Sequence, residues 1–360
     1  MVTLTGRIRL VYGILGQKIV GNGHFMDVRR AITSVRLQMA YAAEQGLDAQ
    51  ACLAGSDIDP AMLHRPEATI ERAQERRVVE NLCAQLDDPV RHGLAMGQRY
   101  HLSSYGVWGF ALLSSPTFRQ AVELGVRYLD LTFAFLDIRL EEEQGEAVLI
   151  LDDSGLPETI RPYLLARDAS AVMMVQEELF ASRIPLSSLA LRLPEQDPAP
   201  FTAIFGLPPC FDQSHSQARF VAGLLDMPLP QANPVTARLC EEQCQQLLVQ
   251  RYRQGGVALR VRRRLLSQPG RFPDMEAMAS ELGVTSRTLR RQLRTEGTGY
   301  RELLDEVRRM LAEQWLILGG LGMEEISDRL GFSELSNFNH AFRRWTGQTP
   351  ARFRRERQGK

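Results

Sequence analysis

The sequence predicts an α+β N-terminal domain followed by an all-α domain in which two helix-turn-helix motifs are joined by a long linker helix. Three observations carry that prediction. Helical and strand-like apolar periods are mixed as far as Pro230; a long polar helix then runs into the pair Gly255-Gly256; beyond it a unit of helix, Leu-Gly turn and helix occurs twice. At 360 residues the chain is long enough for two domains with ordinary cores.

Residues 1–26 contain apolar patches interrupted by Arg7, Arg9 and Lys18, with no small-residue cleavage site after them, so a secretory signal is not expected. They read as a leader that is disordered or lies upstream of the true start at Met26. From Asp27 the positions Val28, Ile32, Val35 and Met39 follow a helical period that Gly46 stops, and further helices are expected over Glu67 to Leu86 and Pro116 to Leu131. Phe133 to Leu140 and Ala147 to Leu151 read as strands of a hairpin around Gln144-Gly145. Tyr163 to Ser182 reads as a long helix, and Leu186 to Leu193 as a strand ended by the Pro-rich stretch Pro194 to Pro200. Residues 27–232 therefore make the α+β domain. A helix from Pro234 to about Arg253 and the glycine pair make 233–256 a connecting helix and hinge, which leaves 257–360 for the helical domain.

Within that last segment the two copies are MEAMASELGVTSRTLRRQLRTEG from Met275 and MEEISDRLGFSELSNFNHAFRRWTG from Met323. Each first helix ends on Leu-Gly, at Leu282-Gly283 and Leu330-Gly331, where glycine takes the left-handed conformation that turns the chain. An apolar residue follows, Val284 or Phe332, and then a hydroxyl residue, Thr285 or Ser333, placed to cap the next helix. Leu289 and Leu293 in one copy, and Phe338 and Phe342 in the other, lie four apart and so point into a small core. The opposite face carries Ser286, Arg287, Arg290, Arg291 and Arg294 in the first copy. In the second it carries Ser333, Ser336, Asn337, His340, Arg343 and Arg344. Such side chains suit phosphates and base edges of double-stranded DNA. One solvated helical hairpin would look much the same, but two glycine turns 48 residues apart, with Tyr300, Leu303, Leu304, Val307, Leu311, Trp315 and Leu318 at helical spacing between them, point to paired DNA readers on one linker helix. From Tyr300 to Leu318 that helix is about 28 Å long, which suits recognition helices set roughly one duplex turn apart, about 34 Å.

The charge is divided in the same way. The whole chain is neutral, with 43 basic and 43 acidic residues, yet residues 257–360 hold 20 Lys and Arg against 13 Asp and Glu, a net +7, and the remainder carries −7. Five cysteines, Cys52, Cys83, Cys210, Cys240 and Cys244, form no C-x-x-C pair, so reduced thiols in a cytosol are expected, and the scattered histidines offer no metal site. Cys240 and Cys244 are one helical turn apart, a spacing that fits two buried small side chains better than a redox or metal pair. No apolar run is long enough to span a bilayer.

From about Val257 to Arg355 the chain resembles the DNA-binding domain of the AraC/XylS transcription regulators. The most specific piece is GFSELSNFNHAFRRWTGQTPARFR, Gly331 to Arg354, which lies across the second reader and ends in a Gly-x-x-Pro turn at Gly347 and Pro350. The resemblance implies base contacts from Arg287, Arg290 and Arg291 in the first reader and from Ser336, Asn337 and His340 in the second. Arg294, Arg343 and Arg344 are placed for phosphates or helix ends. One departure is that the copies slip by one residue inside the recognition helix, Leu289 matching Phe338, which lengthens the second turn.

LSSYGVWGFALLSSPTFRQAVELGVRYLDL, Leu102 to Leu131, with CFDQSHSQARFVAGLLDMPLP, Cys210 to Pro230, resembles the arabinose-binding-like sensor domain of a subgroup that includes ornithine-utilisation and virulence regulators. That resemblance implies a ligand-responsive regulator, an activator since most of the family are activators, contacting RNA polymerase and acting as a monomer on two half-sites or as a homodimer. It implies no cofactor. A sensor needs an apolar pocket with a few polar anchors, for which Tyr105, Trp108, Phe110, Arg127, Tyr128, Phe133, Phe135 and Arg167 are the candidates against their plain fates as core or salt-bridge residues. An apolar pocket with one Arg suits a fatty-acid-like carboxylate, and an amino acid needs more paired charge. Two other readings stand beside the sensor: an N-terminal protein-interaction or dimerisation module without a small ligand, and a DNA-repair enzyme with the same kind of DNA-binding domain. The second needs clustered Cys ligands, a phosphate loop or a nucleophile elbow, and the chain offers none.

Overall fold

The computed structural model describes residues 29–358 apart from positions 255, 269 and 297, so the expectations for residues 1–26, Val28 and Gly255 lie outside it. The chain forms two compact units that part between Arg251 and Tyr252.

The N-terminal unit opens with a two-residue strand, β1 (Arg30–Ala31), before α1 (Thr33–Glu44) and α2 (Ala49–Leu53). The helix expected from Asp27 starts later because β1 pairs antiparallel with β2 (Thr69–Ile70), and the Ile32 amide donates to the Ala68 carbonyl. That pairing also shortens the helix expected from Glu67. The Gln74 carboxamide oxygen accepts the Glu71 N–H at 2.9 Å, so α3 runs Arg72–Cys83. Then come α4 (Pro89–Gly97), α5 (Val107–Leu113) and α6 (Phe118–Arg127).

The hairpin is where the sequence placed it. Strands β3 (Asp137–Glu143) and β4 (Glu146–Asp152) pair in register from Asp137 opposite Asp152 to Glu143 opposite Glu146. Gln144 and Gly145 both have positive φ, 52° and 84°, as a two-residue hairpin loop with strand-matching twist requires. Strand β3 nevertheless begins four residues later than expected. The amides of Phe135 and Leu136 donate to the Asp168 carboxylate at 2.7 and 3.1 Å instead of to a neighbouring strand.

Helix α7 (Arg161–Phe180) is the backbone of the unit. It lies close against α4 because Gly93 and Gly97 have no Cβ: one on Gly93 would stand 2.4 Å from the Tyr163 carbonyl oxygen, and one on Gly97 2.3 Å from that of Arg167. Strand β5 covers only Ser188–Ala190, shorter than Leu186 to Leu193, since the chain then bonds Cys210 from Leu191. After α8 (Ala199–Phe205), strand β6 (Ser216–Val221), which periodicity did not reveal, slots between β4 and β5 and completes an antiparallel sheet of order β3-β4-β6-β5. The core joins that sheet to α7 through Ile138, Leu151, Leu189, Ala218, Leu165 and Ala169. The unit ends in α9, which spans Pro234–Gln254.

The C-terminal unit is all helical: α10 (Val257–Ser267), α11 (Met275–Glu281), α12 (Ser286–Thr295), α13 (Tyr300–Leu318), α14 (Met323–Arg329), α15 (Leu335–Thr346) and α16 (Pro350–Gln358). Its core gathers Val261 and Leu265 of α10, Leu303, Val307 and Leu311 of α13, and the inward residues of both repeats. The Glu296 carboxylate accepts the Val257 and Ala258 amides at 2.7 and 2.8 Å, supplying the cap that Gly256 cannot give α10.

Candidate nucleic-acid interface and sensor cavity

The two repeats build the same turn. Gly283 and Gly331 have φ of 70° and 69°. The amide of the next residue, Val284 or Phe332, reaches back to the carbonyl of Ala279 at 3.0 Å or Ser327 at 3.1 Å, a bond that closes a helix end around a left-handed residue. Leu289, Leu293, Phe338 and Phe342 are fully buried, so the faces opposite them are turned to solvent.

The entry to the second helix differs between the copies. Thr285 caps α12, its hydroxyl accepting the Thr288 amide at 3.2 Å. Ser333 does not cap α15. The longer turn gives the cap position to Glu334, whose side chain makes no capping bond, and Ser333 only accepts from the Asn337 carboxamide at 3.5 Å, one turn ahead. The expectation of two hydroxyl caps is corrected to one.

Arg287, Arg290, Arg291 and Arg294 are all exposed on α12, and Ser286 is half-buried at its start. Among the described residues none of these arginines is in an ion pair, although Arg262, Arg264, Arg309 and Arg329 of the same unit all have carboxylate partners. On α15, Ser336, Asn337, His340, Arg343 and Arg344 are exposed with Ser333 beside them. Arg344 pairs with Asp305 at 2.9 Å, and Ser336 donates to the Glu334 carboxylate at 3.0 Å. The first face is dense in unneutralised positive charge, the second mostly polar and neutral.

Sequence reasoning missed Arg308 on α13. Its guanidinium lies 4.7 Å from the Phe332 ring centre and 5.4 Å from that of Phe272, and donates to the carbonyls of Leu330 at 2.8 Å and Gly331 at 3.2 Å. It thus holds the second turn by its otherwise unpaired carbonyls. No local motif signals this, because the partners are more than twenty residues away.

In the N-terminal unit a cavity of about 140 Å³ lies between the sheet, α6 and α7. Tyr105, Trp108, Phe133 and Arg167 line it, together with Leu112, Phe118, Val172 and Ala218. Four other expected pocket residues lie elsewhere. Arg127 is bound to Glu241 of α9, Tyr128 is buried outside the lining, and Phe110 is 58% exposed on α5. Phe135 is buried under Arg72, whose carbon centre is 4.4 Å from its ring centre.

Arg167 is not a free anchor. Its Nε donates to Asp168 at 2.8 Å and its Nη2 to the Phe133 carbonyl at 3.0 Å, while Nη1 is 3.7 Å from Glu75. Glu75 is in turn held by Arg30 at 3.1 Å and by the hydroxyl of Ser34, which also meets the Tyr100 hydroxyl at 2.7 Å. Burial works against the Arg167 charge, but Asp168, Tyr100 and Glu75 outweigh it and raise its pKa. Burial also raises the phenols, Tyr100 to about 12 and Tyr105 well above its usual value, so both stay protonated. The carboxylates Glu75 and Asp168, which no local pattern marks, decide how the charges beside the cavity are matched.

Among the described residues, no group of three metal-ligating side chains comes together. Burial pushes the thiol of Cys244 up to about 12, far from a reactive thiolate, and raises that of Cys240.

Residues 46–229 match the family described as the arabinose-binding domain of AraC transcription regulator, N-terminal, and residues 278–356 match a helix-turn-helix domain family. The chain belongs to the AraC family of transcription regulators. Relatives include an uncharacterized HTH-type transcriptional regulator of Mycobacterium tuberculosis, 33% identical over 91% of this chain and 97% of its own. The ornithine utilization regulator of Pseudomonas aeruginosa is 34% identical over 89% and 97%. The solved structure of the transcriptional regulator CdpR from P. aeruginosa is 28% identical and spans 90% of this chain and 98% of its own, with a TM-score of 0.45. This AraC-family chain is a DNA-binding helix-turn-helix regulator with an arabinose-binding-like N-terminal domain, and its relatives are regulators rather than enzymes. No described helix is long and apolar enough to cross a membrane.

Proposed function

We propose that this regulator is a cytoplasmic transcription activator whose N-terminal unit, residues 27–232, senses a small molecule and whose C-terminal unit, residues 257–360, reads two promoter half-sites in adjacent major grooves. The observation that carries the DNA part is the α12 face: four exposed arginines, without ion pairs among the described residues, on a capped helix. Arg287, Arg290 and Arg291 contact bases there, Ser336, Asn337 and His340 do so on α15, and Arg294, Arg343 and Arg344 serve the phosphates. The sensing part is supported by the apolar cavity, with Tyr105, Trp108, Phe133 and Arg167 in its wall. Ligand binding shifts the chain toward the state that holds both half-sites and meets RNA polymerase.

A second reading of the same unit, dimerisation, is favoured by one observation: Val235 and Leu239 are 63% and 51% exposed, one turn apart on α9. Sedimentation of the full chain against a Leu239→Glu variant tests it, and a concentration-independent monomer in both would end it. The main reading is tested by promoter binding and a reporter in cells with and without candidate effectors. Activation that needs an effector supports it; maximal activation by the ligand-free protein contradicts it.

A further inference from the structure

On the sensing reading above, the size and lining of the cavity decide which chemical class it admits. An engineered cavity of about 150 Å³ lined by aliphatic and aromatic side chains stays dry and takes a benzene, so a cavity of about 140 Å³ sets the same scale here. Its wall is almost wholly apolar: Leu112, Phe118, Val122, Leu149 and Val172 leave polar groups only near Arg167, Gln176, Thr132 and the tyrosines. Most of those are committed inside the protein. Both ends of the Gln176 carboxamide bond the backbone at Ser182 and Ile184, and the Thr132 hydroxyl bonds Leu129 and Ala134.

The charges are committed as well. Arg30 and Arg167 stand against Glu75 and Asp168, two cations on two anions, all four at most 5% exposed. Arg72 beside this group is matched by Asp130, so an ion entering there finds no spare countercharge and its desolvation goes uncompensated. One donor remains among the lining residues: the Tyr105 hydroxyl makes no hydrogen bond among the described residues, and its ring stacks on Phe133 at 5.4 Å. Arg167 Nη1 is buried and turned to Glu75, 3.7 Å away, which does not line the cavity.

We infer that the effector is an uncharged, mainly apolar molecule of about one ring in size, bearing a single hydrogen-bond-accepting oxygen that the Tyr105 hydroxyl holds. A fatty-acid-like carboxylate or a free amino acid is the wrong class, because its charge has nothing to pair with.

The test is calorimetric titration of the full-length protein with benzyl alcohol, benzaldehyde and benzoate, which share a ring and differ in charge. The neutral pair is expected to bind at least about tenfold more tightly than benzoate. Val172→Phe, which fills the cavity, should abolish that binding, with Ala169→Leu as a second filling variant should the first not fold. Benzoate binding as well as the alcohol or better overturns the proposal and leaves the sensing reading standing. Binding by none of the three also overturns it. If, in addition, folded filling variants drive a promoter reporter in cells just as the parent does, the sensing reading falls with it.

Discussion

The two helix-turn-helix units share a turn and differ in everything around it. The first is aliphatic inside, with Leu289 and Leu293, is capped by Thr285, and presents four arginines without carboxylate partners among the described residues. The second is aromatic inside, where Phe332, Phe338, Phe342, Trp345 and Phe353 meet at ring distances of 5.4 to 6.5 Å. It lacks the hydroxyl cap, is held from outside by Arg308, and presents mainly neutral polar groups. A local cap and a distant clamp are two solutions to one problem, the placing of a recognition helix. The difference separates a reader suited to charge from one suited to hydrogen-bond pattern.

The largest way to break that contrast is Phe342→Ala, which empties the aromatic cluster and should cost about 3–5 kcal/mol of stability in the C-terminal unit, read by thermal or urea unfolding. A loss no bigger than a surface change would mean that the cluster does not hold the second reader. Arg308→Ala should cost about 2–3 kcal/mol, because it strips a charged donor from two carbonyls, and binding to the second half-site should suffer more than to the first. Equal loss at both half-sites in a footprint would refute the clamp.

Arg290→Ala should lose about 1–3 kcal/mol on the cognate site and relax specificity at one position, whereas Arg344→Ala should weaken all sequences alike, and only slightly, since Arg344 already pairs with Asp305. Identical behaviour of the two variants in competition binding would remove the division between base and phosphate contacts. The smallest effect sharpens the comparison of caps: Thr285→Ala should destabilise by about 1 kcal/mol and Ser333→Ala by less than about 0.5 kcal/mol. Equal losses would restore Ser333 as a cap.

What could be read in the sequence was whatever repeats or sits close along the chain. The Leu-Gly turns, the inward pairs four apart and the Gln144-Gly145 hairpin are local patterns, and the structure has them. What could not be read depends on distant partners. Strand β1 exists because Thr69 and Ile70 come to it, and β3 starts late because Asp168 captures two amides. Strand β6 does alternate, Ser216, Ala218 and Phe220 inward and Gln217 and Arg219 outward, but with only the small Ala218 and Phe220 as apolar inward residues the run is too short to stand out. Arg127 looked as suited to a pocket as Arg167, and only the position of Glu241 separates them. In the same way Ser333 fits a cap by residue type, and one extra residue in the turn moves it off the site.

The most direct test of the double reader is genome-wide capture of the DNA bound by the tagged protein, in parallel with Arg290→Ala. The account predicts sharp peaks with two half-sites about one duplex turn apart, of which the variant loses one half-site's base preference and keeps the other's. Diffuse binding without a motif, or a single half-site unaffected by Arg290→Ala, would contradict it.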